Sequence, residues 1–165
     1  MYKHDLMGGT STTTFSPTAS LTRSQLAMIL HRMAGSPSVS GLSNKFTDIS
    51  SSAEYYKAVL WVYNNGNNII MGGTTETKFD PDGYVSREMM AVVIDRYAAR
   101  LGKTLSKLRT YSAFKDDGQI SDWASDSVKK MYEAYIISGE ENYFYPTKNI
   151  KRGDAAIIIR KYCVI

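Results

Sequence analysis

The 165 residues are 43% hydrophobic and 22% charged, which excludes an intrinsically disordered chain and favours one domain or a few small repeated units. The net charge of +4 is spread along the chain without a basic run, so nucleic acid is not predicted as a partner, whereas an anionic polymer is favoured. No apolar stretch is long enough for a membrane span, and the first residues lack the apolar run of a signal peptide. If the parent protein is exported, this sequence is a fragment or an internal module.

One pattern occurs three times along the chain. Its landmarks are a Phe-x-Pro triplet and an arginine that follows a few residues later. The phenylalanines are 64 and 65 residues apart, and the arginines have the same two spacings. The three copies are Phe15-Ser16-Pro17 with Arg23, Phe79-Asp80-Pro81 with Arg87, and Phe144-Tyr145-Pro146 with Arg152. A register kept at several landmarks predicts structural repeats.

Each arginine opens a segment with the apolar spacing of an α-helix. In the first copy, Leu26, Ile29, Leu30 and Met33 stand at i, i+3, i+4 and i+7. Thr22 and Gln25 predict a capping box for this helix. Further segments of the same period bring the prediction to five helices, at 22–34, 53–65, 86–101, 124–136 and 152–162. Ser86 is a suitable cap for the third helix, and Lys151 is a poor one for the fifth.

The full repeat also has a first half. Phe46-Thr47-Asp48 and Phe114-Lys115-Asp116 each introduce a helix that ends in a glycine-containing turn, and a Phe-x-Pro triplet follows. The chain is therefore divided into a partial repeat at 1–37 and two complete repeats at 44–103 and 112–165. The predicted fold class is all-α. The repeated phenylalanines and Trp61 are expected in the core.

The combination of Phe-x-Asp, a glycine turn, Phe-x-Pro and Thr22-Arg23-Ser24-Gln25 resembles the S-layer homology (SLH) family. The resemblance implies a pseudo-threefold assembly of helix-loop-helix repeats. It also implies non-covalent anchoring of a larger exported protein to the bacterial cell wall, and hence an extracellular, wall-associated or S-layer-associated location. The implied ligand is secondary cell-wall polysaccharide, often pyruvylated.

Within this resemblance, the signature arginines would bind a carboxylate of the glycan and the glycine turns would offer backbone N–H groups. The implied glycan-binding residues are Arg23, Arg87, Arg152, Gly9, Gly73 and Gly139. The alternative for the arginines is a structural contact at the first turn of each helix. Trp123 either stacks on a sugar or packs in the core.

The sequence predicts no enzyme, no cofactor and no metal site, because His4 and His31 lack partners at ligand or catalytic spacing. A protein–protein scaffold that uses the same repeats without glycan is the main alternative function, and a glycan-active enzyme is a third. The missing first half of the first repeat predicts an uncovered apolar face near Leu26, Ile29 and Met33. A homodimer, or cover from Met1–Met7 and the 36–45 linker, would then bury that face.

Overall fold

A computed structural model describes residues 6–11, 13–64 and 68–165. The prediction of an all-α protein is confirmed, because pairing of extended backbone in these residues is limited to isolated β-bridges. The five predicted helices are present, together with a short 3-10 helix at Asp117–Gln119. The α-helices are α1 (Arg23–Met33), α2 (Tyr56–Tyr63), α3 (Arg87–Arg100), α4 (Asp122–Glu133) and α5 (Arg152–Cys163). The predicted end of α2 at residue 65 lies outside the described residues.

The chain forms two compact units. The first contains the residues up to Ser16 together with Leu21–Tyr84, and the second contains Pro17–Ser20 together with Val85–Ile165. The division falls inside the predicted repeat 44–103, just before its second helix. The predicted repeat boundaries and the pseudo-threefold arrangement remain predictions.

In the first unit, α1 packs along α2. Leu26 and Val59 are fully buried, and Trp61 is 4% exposed, which confirms Trp61 as a core residue. The Trp61 ring lies 5.7 Å from the imidazole of His31 on α1. His31 Nε2 also donates a hydrogen bond to the Pro37 carbonyl at 2.9 Å, so a histidine can occupy this buried position.

In the second unit, α3 packs along α4, and polar contacts fix the two helices. Glu88 at the start of α3 accepts hydrogen bonds from the backbone N–H and the hydroxyl of Ser121, at 3.0 and 3.1 Å. Two turns further on, Asp95 accepts from the Ser127 hydroxyl at 2.8 Å. Neighbouring helices therefore pair between predicted repeats, since α1 and α2, and likewise α3 and α4, belong to consecutive repeats.

This pairing corrects the prediction of an uncovered face on α1. Leu26 and Ile29 are 0% and 2% exposed, and Met33 is half-buried. Among the described residues of α1, α3 and α5, the open apolar position is on α5, where Ile157 is 55% exposed, whereas Val92 at the equivalent position of α3 is 5% exposed. The prediction was wrong because the first helix of a repeat covers the last helix of the repeat before it. Thus α2 covers α1, and α4 covers α3. The segments proposed as cover include residues 1–5, which lie outside the described residues, as does His4.

The helix starts follow the predicted caps. Thr22 and Gln25 form both hydrogen bonds of a capping box, and the Ser86 side chain accepts from the backbone N–H of Met89. Lys151 has an extended backbone and makes no side-chain cap, as expected. The backbone N–H groups of the three arginines instead reach carbonyls in loops remote in sequence, at 2.8–3.0 Å: Arg23 to Gly83, Arg87 to Lys148 and Arg152 to Ala19. Backbone donors that a helix start leaves unpaired are thus satisfied.

Candidate functional site

The two aromatic motifs of a repeat are tied to each other by a carboxylate. Asp116 of Phe-x-Asp accepts hydrogen bonds from the backbone N–H groups of Phe144 and Tyr145, both at 2.7 Å. The Phe114 and Phe144 rings stack with their centroids 5.3 Å apart. Asp48 makes the same contacts to the N–H groups of residues 79 and 80, at 2.9 and 2.8 Å. The repeated Phe-x-Asp and Phe-x-Pro motifs therefore encode one loop structure.

The middle residue of each Phe-x-Pro triplet has a left-handed backbone, with φ of 54° at Ser16, 59° at Asp80 and 54° at Tyr145. A non-glycine residue in this region is uncommon, so its recurrence in three copies indicates a conserved loop shape within the chain. The burial of the three phenylalanines differs between the copies. Phe79 and Phe144 are fully buried, as predicted, whereas Phe15 is 38% exposed, and for Phe15 the prediction of a core position was wrong.

The signature arginines Arg23 and Arg87 each donate hydrogen bonds to the Phe-x-Pro loop of the repeat that follows. Arg87 donates from Nε to the carbonyl of Phe144 at 2.6 Å and from Nη2 to the carbonyl of Ser138 at 3.0 Å. Its guanidinium also lies 5.2 Å from the centre of the Phe144 ring. Arg23 makes the equivalent bonds to the carbonyls at positions 79 and 72, at 2.8 and 2.7 Å. Arg23 and Arg87 therefore both make a structural contact at the first turn of their helix, which was the alternative to a glycan contact.

The three arginines differ in accessibility. Arg23 and Arg152 are 5% and 2% exposed, whereas Arg87 is half-buried. Burial lowers the pKa of Arg87, and the carboxylates of Asp154, Glu140 and Asp116 oppose that effect. The guanidinium has five N–H donors, and its hydrogen bonds to the loop use two of them. Arg87 therefore combines a structural contact with donors that remain for a ligand.

Arg87 lines a groove of about 310 Å³ in the second unit. Gly139 lies in the same wall, so the fold brings together these two sequence-predicted site residues. The groove contains four cationic side chains and two carboxylates, which gives it a positive balance. Its charged residues are Arg87, Lys148, Lys151, Lys161, Glu140 and Asp154.

One face of α5 lines the groove. Asp154, Ile157, Ile158 and Lys161 line it at the i, i+3, i+4, i+7 spacing of a single helix face. Lys148 and Lys151 come from the segment just before α5, and the Lys148 ammonium lies 3.7 Å from the exposed carboxylate of Glu140. An exposed pair at this distance is weak. The lysine therefore stays available to an anion.

The glycines of the turns are required by close packing inside the loop. A Cβ on Gly73 would lie 2.7 Å from a ring atom of Phe46, and one on Gly139 would lie 2.7 Å from a ring atom of Phe114. At Gly9 it would lie 2.5 Å from the Ser11 carbonyl oxygen. None of the three has a positive φ, so the left-handed freedom of glycine is not what these positions use. Their contact with a glycan remains a prediction.

Trp123 is 57% exposed on α4, so the core alternative for this residue was wrong. Trp123 is not among the residues that line the groove. A sugar that contacts Trp123 would therefore bind outside the groove.

Sequence reasoning missed the groove lysines. The signal was present in part, because a basic residue recurs six positions after the apolar face begins, at Arg32, Arg96 and Lys161. From the sequence, Lys151 was predicted to be a poor cap, whereas the structure places it in the groove. Sequence could not show this, because the groove joins Arg87 of one repeat with lysines of the next.

Within the described residues, no group of acidic, histidine or cysteine side chains is arranged to hold a metal ion. No helix there has both the length and the hydropathy that a membrane crossing needs.

The fold and the groove define an all-α repeat domain with a basic surface groove. The family model of the S-layer homology domain matches residues 1–27, 45–91 and 113–156, which is most of the chain. The chain belongs to the S-layer homology family, as the sequence resemblance implied.

Several longer proteins contain a similar stretch. An endoglucanase of Bacillus sp. (strain KSM-635) is 34% identical over 160 residues, which are 96% of this chain and 16% of that protein. An amylopullulanase of Thermoanaerobacterium thermosulfurigenes is 28% identical over 93% of this chain and 8% of its own length. A cellulosome-anchoring protein of Acetivibrio thermocellus is 25% identical over 89% of this chain and 33% of its own length. The chain thus spans a third or less of each of these relatives.

Proposed function

We propose that this chain anchors a larger exported protein to the bacterial cell wall, without a covalent bond, by binding secondary cell-wall polysaccharide. The observation that carries the proposal is the groove beside Arg87, where four cationic side chains outnumber two carboxylates. A positive groove attracts an anionic polymer. Carboxylates of the glycan, such as those of pyruvylated sugars, are the groups that a guanidinium binds best.

The similar proteins support an anchoring role. One of them is named for anchoring, and two carry the names of glycan-degrading enzymes of which this chain matches 16% or less. A module shared between different enzymes and an anchoring protein fits attachment better than catalysis. We therefore propose that the chain is not itself an enzyme and that it acts outside the cell, at the wall.

The test is retention of the purified chain on bacterial walls. Walls are compared before treatment, after protease digestion and after chemical removal of the polysaccharide. We expect retention on intact and protease-treated walls, and loss of retention once the polysaccharide is removed.

The competing function is a protein–protein scaffold. In that case protease treatment of the walls would abolish retention and removal of the polysaccharide would leave it intact. Either result, or no retention on any wall preparation, would contradict the proposed glycan binding.

A further inference from the structure

The cationic residues that line the groove lie at both ends of α5. The backbone N–H of Arg87 donates to the Lys148 carbonyl at 3.0 Å, which places these two residues together at the start of α5, where Lys151 also lies. Lys161 lies in the last turn of α5. Ten residues separate Lys151 from Lys161, which corresponds to about 15 Å along a helix axis.

The middle of the groove has different chemistry. Ile157 is 55% exposed there, beside Ile158 on the same face of α5. The Asp154 carboxylate lies one turn nearer to the Arg87 end, where a sugar hydroxyl can donate a hydrogen bond to it. The apolar side chain of Ile157 suits the C–H face of a sugar ring. The middle of the groove therefore favours an uncharged part of a glycan.

We infer that the groove recognises two successive anionic groups on an extended glycan strand. One anionic group binds at the Lys148–Lys151 end beside Arg87, the second binds at Lys161, and the sugar between them lies over Ile157. The inference rests on the proposed function and specifies its ligand as a glycan with repeated anionic groups, since a single charged substituent engages one end of the groove only.

Two contacts on one strand strengthen each other, because the second forms within a complex that already exists. A glycan fragment with two anionic groups is therefore expected to bind at least about tenfold more tightly than a fragment with one. The gain depends on Lys161, which is far from the other cations.

The experiment uses purified wall polysaccharide, partly depolymerised and separated by anion exchange into fragments with one anionic group and with two or more. Titration calorimetry measures the affinity of the full chain for each fragment. We expect Lys161→Gln to reduce the advantage of the longer fragment from about tenfold to about threefold or less. The control is Arg160→Gln, which removes the same charge from the same helical turn at an exposed position outside the groove. This control is expected to keep the full advantage.

Equal affinity of the wild-type chain for the two fragment classes would overturn the two-point recognition, as would a Lys161→Gln variant that behaves like the wild type. Both results leave wall binding intact and so leave the proposed function standing. Failure of the wild-type chain to bind either the fragments or the intact polysaccharide would overturn the inference and the proposed function together. Melting temperatures of both variants check that each has folded.

Discussion

At the scale of single residues, the signature arginine has a structural task as well as a place in the groove. Arg87 ties the carbonyls of Phe144 and Ser138 to the start of α3, and two of its N–H donors are used for that purpose. Loss of the side chain leaves those carbonyls without their charged donor. A binding experiment on this residue must therefore be read together with its effect on stability.

We predict that Arg87→Ala lowers the free energy of unfolding by about 1.5–3 kcal/mol, the range for hydrogen bonds to a charged group, with the lower end favoured by its partial exposure. Arg87→Lys should also destabilise the chain, because an ammonium does not reproduce the planar fork that reaches both carbonyls. Wall binding should weaken in both variants. Urea denaturation and wall retention measure the two effects.

The control for this prediction is Arg96→Ala, an exposed arginine on the same helix, which should change stability little. An Arg87→Ala chain that keeps its melting temperature would contradict the structural role. A destabilised but folded chain with unchanged wall binding would show that the arginine does not contact glycan.

A second residue-scale prediction concerns acid. Burial raises the pKa of Asp48, but hydrogen bonds from the backbone N–H groups of Phe79 and Asp80 lower it by more, so the pKa lies below its ordinary value. The stability that Asp48 contributes is complete above the ordinary aspartate pKa of about 3.9 and is lost as the pH falls through the lower, folded-state pKa.

We therefore expect the urea midpoint of the wild-type chain to fall between about pH 5 and pH 2.5, and Asp48→Asn to lose part of that dependence. Asp126→Asn, at an exposed position of α4, serves as the control and should follow the wild-type profile. Parallel profiles for the wild type and Asp48→Asn would show that the carboxylate does not stabilise the loop.

At the scale of the elements, α5 differs from the other second-half helices at its N-cap, the residue just before the helix. Ser86 caps α3 with its side chain and Thr22 caps α1, whereas Lys151 has the extended backbone of a cap without the hydrogen bond. The lysine lies in the groove instead. On the proposed function, stability and ligand recognition therefore compete at this position.

We predict that Lys151→Ser raises the free energy of unfolding by about 1 kcal/mol, since a serine cap accepts a hydrogen bond from the first turn of α5. The same variant should weaken binding to wall polysaccharide, because a groove cation is lost. Lys151→Ala separates the two effects, since it removes the charge without adding a cap. A Lys151→Ser chain that melts lower than the wild type, or that binds as tightly, would refute the corresponding half of this prediction.

At the scale of the whole molecule, contacts between predicted repeats dominate each unit. The pairs α1–α2 and α3–α4 join consecutive repeats, and the arginine of one repeat holds the Phe-x-Pro loop of the next. A repeat isolated from its neighbour loses the helix that covers its apolar face. Stability is therefore a property of each unit and not of a single repeat.

The same packing leads us to predict a monomer in solution. The face of α1 that was expected to need a partner is buried within the chain, with Leu26 fully covered. On α5 the open position is Ile157, and one half-exposed side chain on a short helix offers far less than the roughly 800 Å² per partner of a stable dimer. Light scattering at several concentrations should give the mass of one chain. A stable dimer that Ile157→Glu dissociates would contradict this expectation.

The sequence alone determined the local structure of this protein. The five helices, the cap at Thr22 and the buried Trp61 follow from apolar spacing and from side chains that act on their own backbone. The family could be recognised for the same reason, since its motifs describe loops whose shape depends on residues such as Asp48 and Gly73. The loop contacts of Asp48 and Gly73 lie within one repeat.

Only the tertiary structure decided which helix covers which, and what the long polar side chains reach. The spacing of apolar residues shows that Ile29 and Ile157 belong to helices with a buried face. It does not identify the helix that covers this face. The open apolar position was therefore assigned to α1, whereas it lies on α5. Likewise, Arg87 and Lys151 meet in one groove because loops from different repeats bring them together. Contacts between residues that are distant in the chain leave no local pattern, and the candidate site is made of such contacts.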